Sequence, residues 1–228
     1  YKVRERSEEN LKKILKDYDV ELLSYNKTVF TKEDSEDAAN FFKDKIDFLL
    51  LQTSSCSAGD QLYPLCNITK KMGLWAVPDI EKEGDVKLHS LVSVSHYLGI
   101  IKKTLSNKKI KTKWFYNYAD TDEFKNKFLV TLRSLIAQKK LQQSRIGLVG
   151  GISPGFDNML VDNDKIKKNI GTIIDEATIE ELIDKAKNFN QSIIDEEIKK
   201  IKNAASNITV SNEDSFNRVT RVYFALKQ

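Results

Sequence analysis

The stretch Ile46–Gln52 (IDFLLLQ) constrains this chain more than any other, because it is almost continuously apolar, short, and closed off by the polar loop Thr53–Asp60 (TSSCSAGD). A strand with one wet face alternates apolar and polar residues. A run without alternation, too short for a free-standing helix, suits a strand covered on both faces. Leu74–Val77, ended by Pro78, and Thr112–Tyr116 (TKWFY) read the same way. Between them lie segments of helical period, one near Leu62–Met72 and one over Leu88–Leu105. Strands alternating with helices over short links predict a parallel sheet in an α/β domain.

The flanking segments extend this pattern. Val3–Asp17 places Leu11, Ile14 and Leu15 on one side of a charged helix, and Val20–Ser24 reads as a short strand. Thr31 is the expected cap of a helix running through Ala38, Ala39, Phe41 and Phe42, with Glu33, Asp34, Glu36 and Asp37 near its positive end. A long helix over Asp122–Gln143 leads to a fresh strand, Arg145–Val149. Helical Asn163–Asn169, a short strand at Thr172–Ile174, and helices over Ile179–Ala186, Ile193–Ala205 and Phe216–Gln228 follow. The expected architecture is therefore two successive Rossmann-like (flavodoxin-like) parallel-sheet units, the second incomplete. Residues 1–120 form the first domain, and residues 121–228 hold a connecting helix and the start of the second. The chain opens at Tyr1 without an initiator Met and ends inside a running helix, so sequence is expected to be missing at both ends.

Composition excludes several classes. Hydrophobic residues make up 40% and charged residues 31%, so the chain is neither collagen-like nor disordered. Its longest apolar run, Phe48–Leu51, is far too short for a bilayer, so no membrane partner is expected. Net charge is only +4, and Arg occurs at just Arg4, Arg6, Arg133, Arg145, Arg218 and Arg221. Forked phosphate-reading side chains are thus scarce, and nucleic acid is not an expected partner. Cys56 and Cys66 lack the spacing of a disulfide framework or a zinc site. With no apolar leader segment, this points to a cytoplasmic protein.

Two loops carry the candidate chemistry. RIGLVGGISPGFDN (Arg145–Asn158) is a strand followed by paired glycines, and such a turn lets backbone N–H groups approach a ligand without hindrance from a Cβ. It has neither the GxGxxG spacing of a dinucleotide site nor the GK[ST] of a P-loop, and a tight strand-to-helix connection explains its glycines equally well. Gly150, Gly151, Ser153 and Asn158 are its candidate ligand-facing residues. The loop TSSCSAGD occupies the equivalent end of the first unit, where Ser54, Ser55 and Cys56 are placed to hydrogen-bond a polyol. A nucleophilic role for Cys56 needs a base, and the chain has only His89 and His96, seven residues apart, a spacing that favours surface histidines over metal ligands. Trp114, Phe115, Tyr116 and Tyr118 are read as core rather than as a sugar-stacking surface. Asp157, Asp162 and Asp164 have no partner His, which leaves a metal site there unsupported.

The order of elements, and above all GLVGGISPGFDNMLVDNDKIKKNIGTIIDEATIEELIDKAKN from Gly147 onward, resembles the L-fucose isomerase and L-arabinose isomerase family. IDFLLLQTSSCSAGD and KLHSLVSVSHYLGIIKKTL are similar to the strand-loop and the packing helix of that family's first domain. The resemblance covers most of the chain and implies an aldose–ketose isomerase acting on an open-chain sugar, with a divalent cation, usually manganese, and carboxylate acid/base groups. It also implies a homo-oligomer whose sites lie between chains. The family's metal ligands come later than Gln228, so no catalytic residue and no metal ligand is carried over. Where the family commonly has an aromatic residue in the first-domain loop, this chain has Cys56, which cannot stack on a sugar. The expected function is the N-terminal portion of a metal-dependent aldose–ketose isomerase, catalytically incomplete over this span. The alternative is a non-catalytic, two-lobed sugar-binding or regulatory module.

Overall fold

The computed structural model describes residues 2–79, 89–209 and 212–227. The chain divides into two compact units, Tyr1–Arg133 and Ser134–Gln228.

The first unit is an α/β arrangement around a three-stranded parallel sheet. In chain order it contains α1 (Lys2–Leu15), α2 (Lys32–Phe42), β1 (Leu49–Thr53), the single turn α3 (Leu62–Leu65), β2 (Lys71–Ala76), α4 (His89–Lys103) and β3 (Lys111–Tyr116). Helix α5 (Asp122–Gln143) follows, and the division between the units falls within it. The strands lie in the order β1-β2-β3, all parallel, with Leu51 opposite Leu74 and Leu74 opposite Trp114. This order contains no reversal, so these three strands carry no topological switch crevice of the kind that holds ligands in doubly wound sheets.

The central strand shows why its apolar run does not alternate. Leu49, Met72, Leu74 and Ala76 join the buried cluster formed with Ala38 and Phe42 of α2, Leu62 and Leu65 of α3, and Val94, Tyr97 and Ile101 of α4. Trp75 and Phe115 occupy the opposite side of the sheet, where Phe124 and Phe128 of α5 pack on them in tilted and edge-on contacts at ring distances of 4.6 to 5.8 Å. Ser7 of α1 accepts from Gln52 at 3.0 Å on that same side. Both faces of β2 are thus covered, and each fully buried Leu, Met or Phe contributes roughly 2 kcal/mol through lost water contact. Gly73 leaves room for the crossing: a Cβ there would come within 2.7 Å of Phe48 and 2.8 Å of Leu50.

The second unit holds β4 (Arg145–Val149) parallel to β5 (Ile173–Ala177). Around them are α6 (Asn163–Asn169), α7 (Ile179–Lys187), α8 (Gln191–Ala204) and α9 (Glu213–Lys227). Thr178 caps α7 in a reciprocal capping box with Glu181. Arg221 of α9 donates to the Phe189 carbonyl at 2.8 Å and to Gln191, tying α9 to the link between α7 and α8.

Several expectations are corrected. Val20–Ser24 is not a strand: it makes no ladder among the described residues, and Leu23 and Tyr25 pack against the core without pairing. The expected helix over Leu62–Met72 stops after one turn. The Thr69 hydroxyl accepts the Lys71 N–H at 3.2 Å and donates to the Asp47 carbonyl at 3.3 Å, which starts β2 beside β1 instead. The strand expected at Thr172–Ile174 runs over Ile173–Ala177, and the apolar run Ile46–Gln52 enters the ladder only at Leu49. Leu88 and Gln228, expected helical ends, lie outside the described residues.

Candidate functional site

The loop after β1 is built from the side of α4. Thr53, the last residue of β1, places its buried hydroxyl 3.0 Å from the Ser90 carbonyl and 3.2 Å from the Trp75 carbonyl. Ser90 donates its own hydroxyl to the Val77 carbonyl at 2.6 Å. One turn on, Ser93 donates to the Ser55 carbonyl at 2.8 Å and accepts the Ser57 N–H at 2.7 Å. Tyr97, another turn along, donates to the Ala58 carbonyl at 3.3 Å. Ser90, Ser93 and Tyr97 share one helix face and are all buried, so each anchors backbone that would otherwise be free to move. Burial pushes the Tyr97 phenol above its ordinary value, and the nearby Asp60 and Cys56 act in the same direction.

With its backbone tied from below, this loop leaves Ser54, Ser55 and Cys56 exposed at the carboxyl end of the sheet. The second cysteine behaves differently. Cys66 is fully buried, and burial pushes its thiol up to about 11. Gly59 closes the loop against α4, where a Cβ would come within 2.7 Å of Ile100 and 2.9 Å of His96 Nε2. At the end of β2, Asp79 lies 3.9 Å from His89 Nδ1, and its second carboxylate oxygen is buried with no hydrogen-bond partner among the described residues.

The loop after β4 has a different construction. Gly150 extends the ladder by donating its N–H to the Ala177 carbonyl at 2.8 Å, then turns with φ of 75°, and Gly151 follows at 69°. Two successive left-handed residues exclude ordinary side chains on steric grounds. At Gly151 and Gly155 a Cβ would meet nothing within 4 Å, so backbone conformation alone demands glycine there, and the space beside them is open. At Gly150 a Cβ would also strike Ile179. Ser153 and Asn158 are exposed. The Ser153 carbonyl accepts the Phe156 N–H at 3.2 Å, and Asn158 sits in the short turn Asp157–Met159. Asp162 is occupied as the cap of α6, accepting the Lys165 N–H at 2.9 Å, which holds its carboxyl below the usual range.

Ser54, Ser55 and Cys56 therefore belong to the first unit, and Gly150, Gly151, Ser153 and Asn158 to the second. Sequence reasoning missed Ser90, Ser93 and Tyr97. Their signal is present as polar residues at helical spacing on the face that also carries Val94 and Ile101. Of the aromatic residues expected in the core, Phe115 is buried, but Trp114 is 45% exposed with Lys127 Nζ 3.7 Å above its ring. Tyr118 donates to the Pro78 carbonyl at 3.0 Å and carries the Arg6 guanidinium on its face. No set of three His, Cys, Asp or Glu residues among the described residues is arranged to hold a metal ion, so these side chains do not fit manganese. No protein-family model matches the chain, and no curated protein matches it.

Proposed function

We propose that this chain is the N-terminal portion of a metal-dependent aldose–ketose isomerase of the L-fucose and L-arabinose type, made of two Rossmann-like units of which the second is incomplete. Its contribution is to bind and orient an open-chain sugar. The hydroxyls of Ser54 and Ser55 exchange hydrogen bonds with sugar hydroxyls, and Cys56 lines the wall beside them. The cation and the carboxylates that move the proton between C1 and C2 come from polypeptide outside this span, and the working enzyme is a homo-oligomer.

The observation that carries this reading is the loop after β1, whose backbone is anchored by Ser93 and Tyr97 while its small polar side chains stay exposed at a parallel-strand carboxyl end. A preformed rim of this kind lowers the ordering cost of binding a flexible polyol.

Isothermal titration of the chain with L-fucitol and L-arabinitol, with and without manganese and with a chelator, tests the reading. Weak binding that is lost in Ser54→Ala/Ser55→Ala, with no interconversion of L-fucose by this span alone, is expected. Turnover by the span with manganese would overturn the assignment of the metal to other polypeptide. Polyol binding that ignores these substitutions would overturn the site. Tight sugar binding unaffected by the chelator would favour the non-catalytic binding module.

A further inference from the structure

At the amino end of the first unit's sheet, away from the loop after β1, lies a cleft of about 430 Å³. Leu98 and Ile101 of α4, Leu105 just after it and Ile110 before β3 form its apolar floor, and Lys102 and Lys109 stand on its rim. Between His89 and Ala119 the chain carries six lysines, Lys102, Lys103, Lys108, Lys109, Lys111 and Lys113, and no Asp or Glu. Lys70 and Lys71 adjoin them: Lys71 is opposite Lys111 in the sheet, and the Lys70 carbonyl accepts the Lys111 N–H at 2.8 Å. Lys113 is close enough to Lys127 to help lower the latter's pKa, an effect led by burial of Lys127 itself.

Lysines on an exposed edge strand also discourage edge-to-edge pairing, which accounts for Lys111 and Lys113. It does not account for Lys102, on a helix, or for Lys109. Lys109 closes the turn after α4 in the left-handed conformation, with φ of 53° and ψ of 40°. Glycine or asparagine meets that geometry at lower cost. A long cation held in a conformation that disfavours it, at the lip of an apolar cleft, points to a use for its charge.

We propose that this cleft docks an acidic, apolar peptide segment of a partner protein, an apolar side chain filling the floor and flanking carboxylates meeting Lys102 and Lys109. The concave shape decides between occupants of like charge. A membrane surface needs apolar groups that protrude into it, whereas a cavity accepts a projecting side chain. Each lysine ammonium is a compact point charge with three rotatable donors, so Lys102 and Lys109 meet single carboxylates without needing the planar register of a guanidinium fork. This inference is independent of the isomerase reading.

Fluorescence anisotropy of the 228-residue chain with a labelled peptide of alternating Glu and Leu tests it, beside polyglutamate and a Lys/Leu peptide. The Glu/Leu peptide should bind best, the Lys/Leu peptide should not bind, and added salt should weaken the complex. Lys102→Glu/Lys109→Glu should weaken it about tenfold or more. Lys109→Gly should weaken it several-fold while melting no lower than the parent, because glycine relieves the turn. No binding of the Glu/Leu peptide, or binding indifferent to these variants, would overturn the proposal. So would preferential capture of phosphatidylserine vesicles or an RNA hairpin, lost in the same variants.

Discussion

Ser93 and Ser55 are joined by a 2.8 Å hydrogen bond from the Ser93 hydroxyl to the Ser55 carbonyl, and the same hydroxyl accepts the Ser57 N–H at 2.7 Å. One buried side chain thus holds both sides of the turn that presents Ser54, Ser55 and Cys56. In Ser93→Ala both backbone groups lose their partner in a partly buried position. The expected cost is about 1–3 kcal/mol, read from urea unfolding, with faster amide exchange at Ser57 than at the β2 amides. Unchanged exchange at Ser57 would show that the loop does not depend on this anchor.

Glycines at two sites should respond with opposite sign. Gly73→Ala drives a methyl to within 2.7 Å of Phe48 and 3.0 Å of Phe115 in a packed layer, and should destabilise by about 1–3 kcal/mol. Gly99 lies exposed in α4 with nothing within 4 Å of a Cβ, so Gly99→Ala should stabilise by roughly 0.5–1 kcal/mol. Thermal unfolding of the two variants checks both signs.

In the glycine turn after β4, Gly151→Ala meets only the left-handed backbone penalty, about 1–2 kcal/mol. Gly150→Ala adds a clash with Ile179 and should cost more. Equal losses at the two positions, measured by denaturant titration, would contradict the packing of Ile179 against Gly150.

The two thiols should differ in reactivity. Cys56 is exposed, whereas Cys66 is fully buried and its thiol is pushed up to about 11. An aromatic disulfide reagent at neutral pH should label one thiol in the folded chain and both after denaturation. Rapid labelling of both in the folded protein would contradict the burial of Cys66 at the end of α3.

Asp34 accepts the N–H groups of Phe30 and Thr31 at 2.9 Å each, and these bonds hold its carboxyl below the usual carboxylate range. A carboxylate with a lowered folded-state pKa adds stability above its unfolded value, and that contribution is lost as pH falls through the folded value. Asp34→Ala should therefore lower the melting temperature at neutral pH and converge with the parent in acid. A constant difference across that range would show that the capping box does not depend on the charge.

Much of the fold is local in origin. Asp122–Gln143, Arg145–Val149 and Asn163–Asn169 have the same limits in sequence and structure, because side-chain period, capping residues and glycine turns act within a few residues of one another. Thr31 shows this at atomic scale: the cap and its reciprocal partner Asp34 are three residues apart. Val20–Ser24 shows where such reading fails, since burial and strand pairing leave the same apolar pattern and only a neighbouring strand separates them.

The sequence by itself determined the alternation of parallel strands and helices, the buried strand at Leu74–Val77 and the backbone freedom of Gly150 and Gly151, all consequences of short-range sterics and hydrophobic period. Tertiary structure alone decided the strand order β1-β2-β3, the arrest of the helix after Leu65 and the anchoring of Ser55, Ser57 and Ala58 by Ser93 and Tyr97. Those bonds join residues 36 to 39 positions apart, and a hydroxyl's partner over such a distance is chosen by how the helix packs on the sheet.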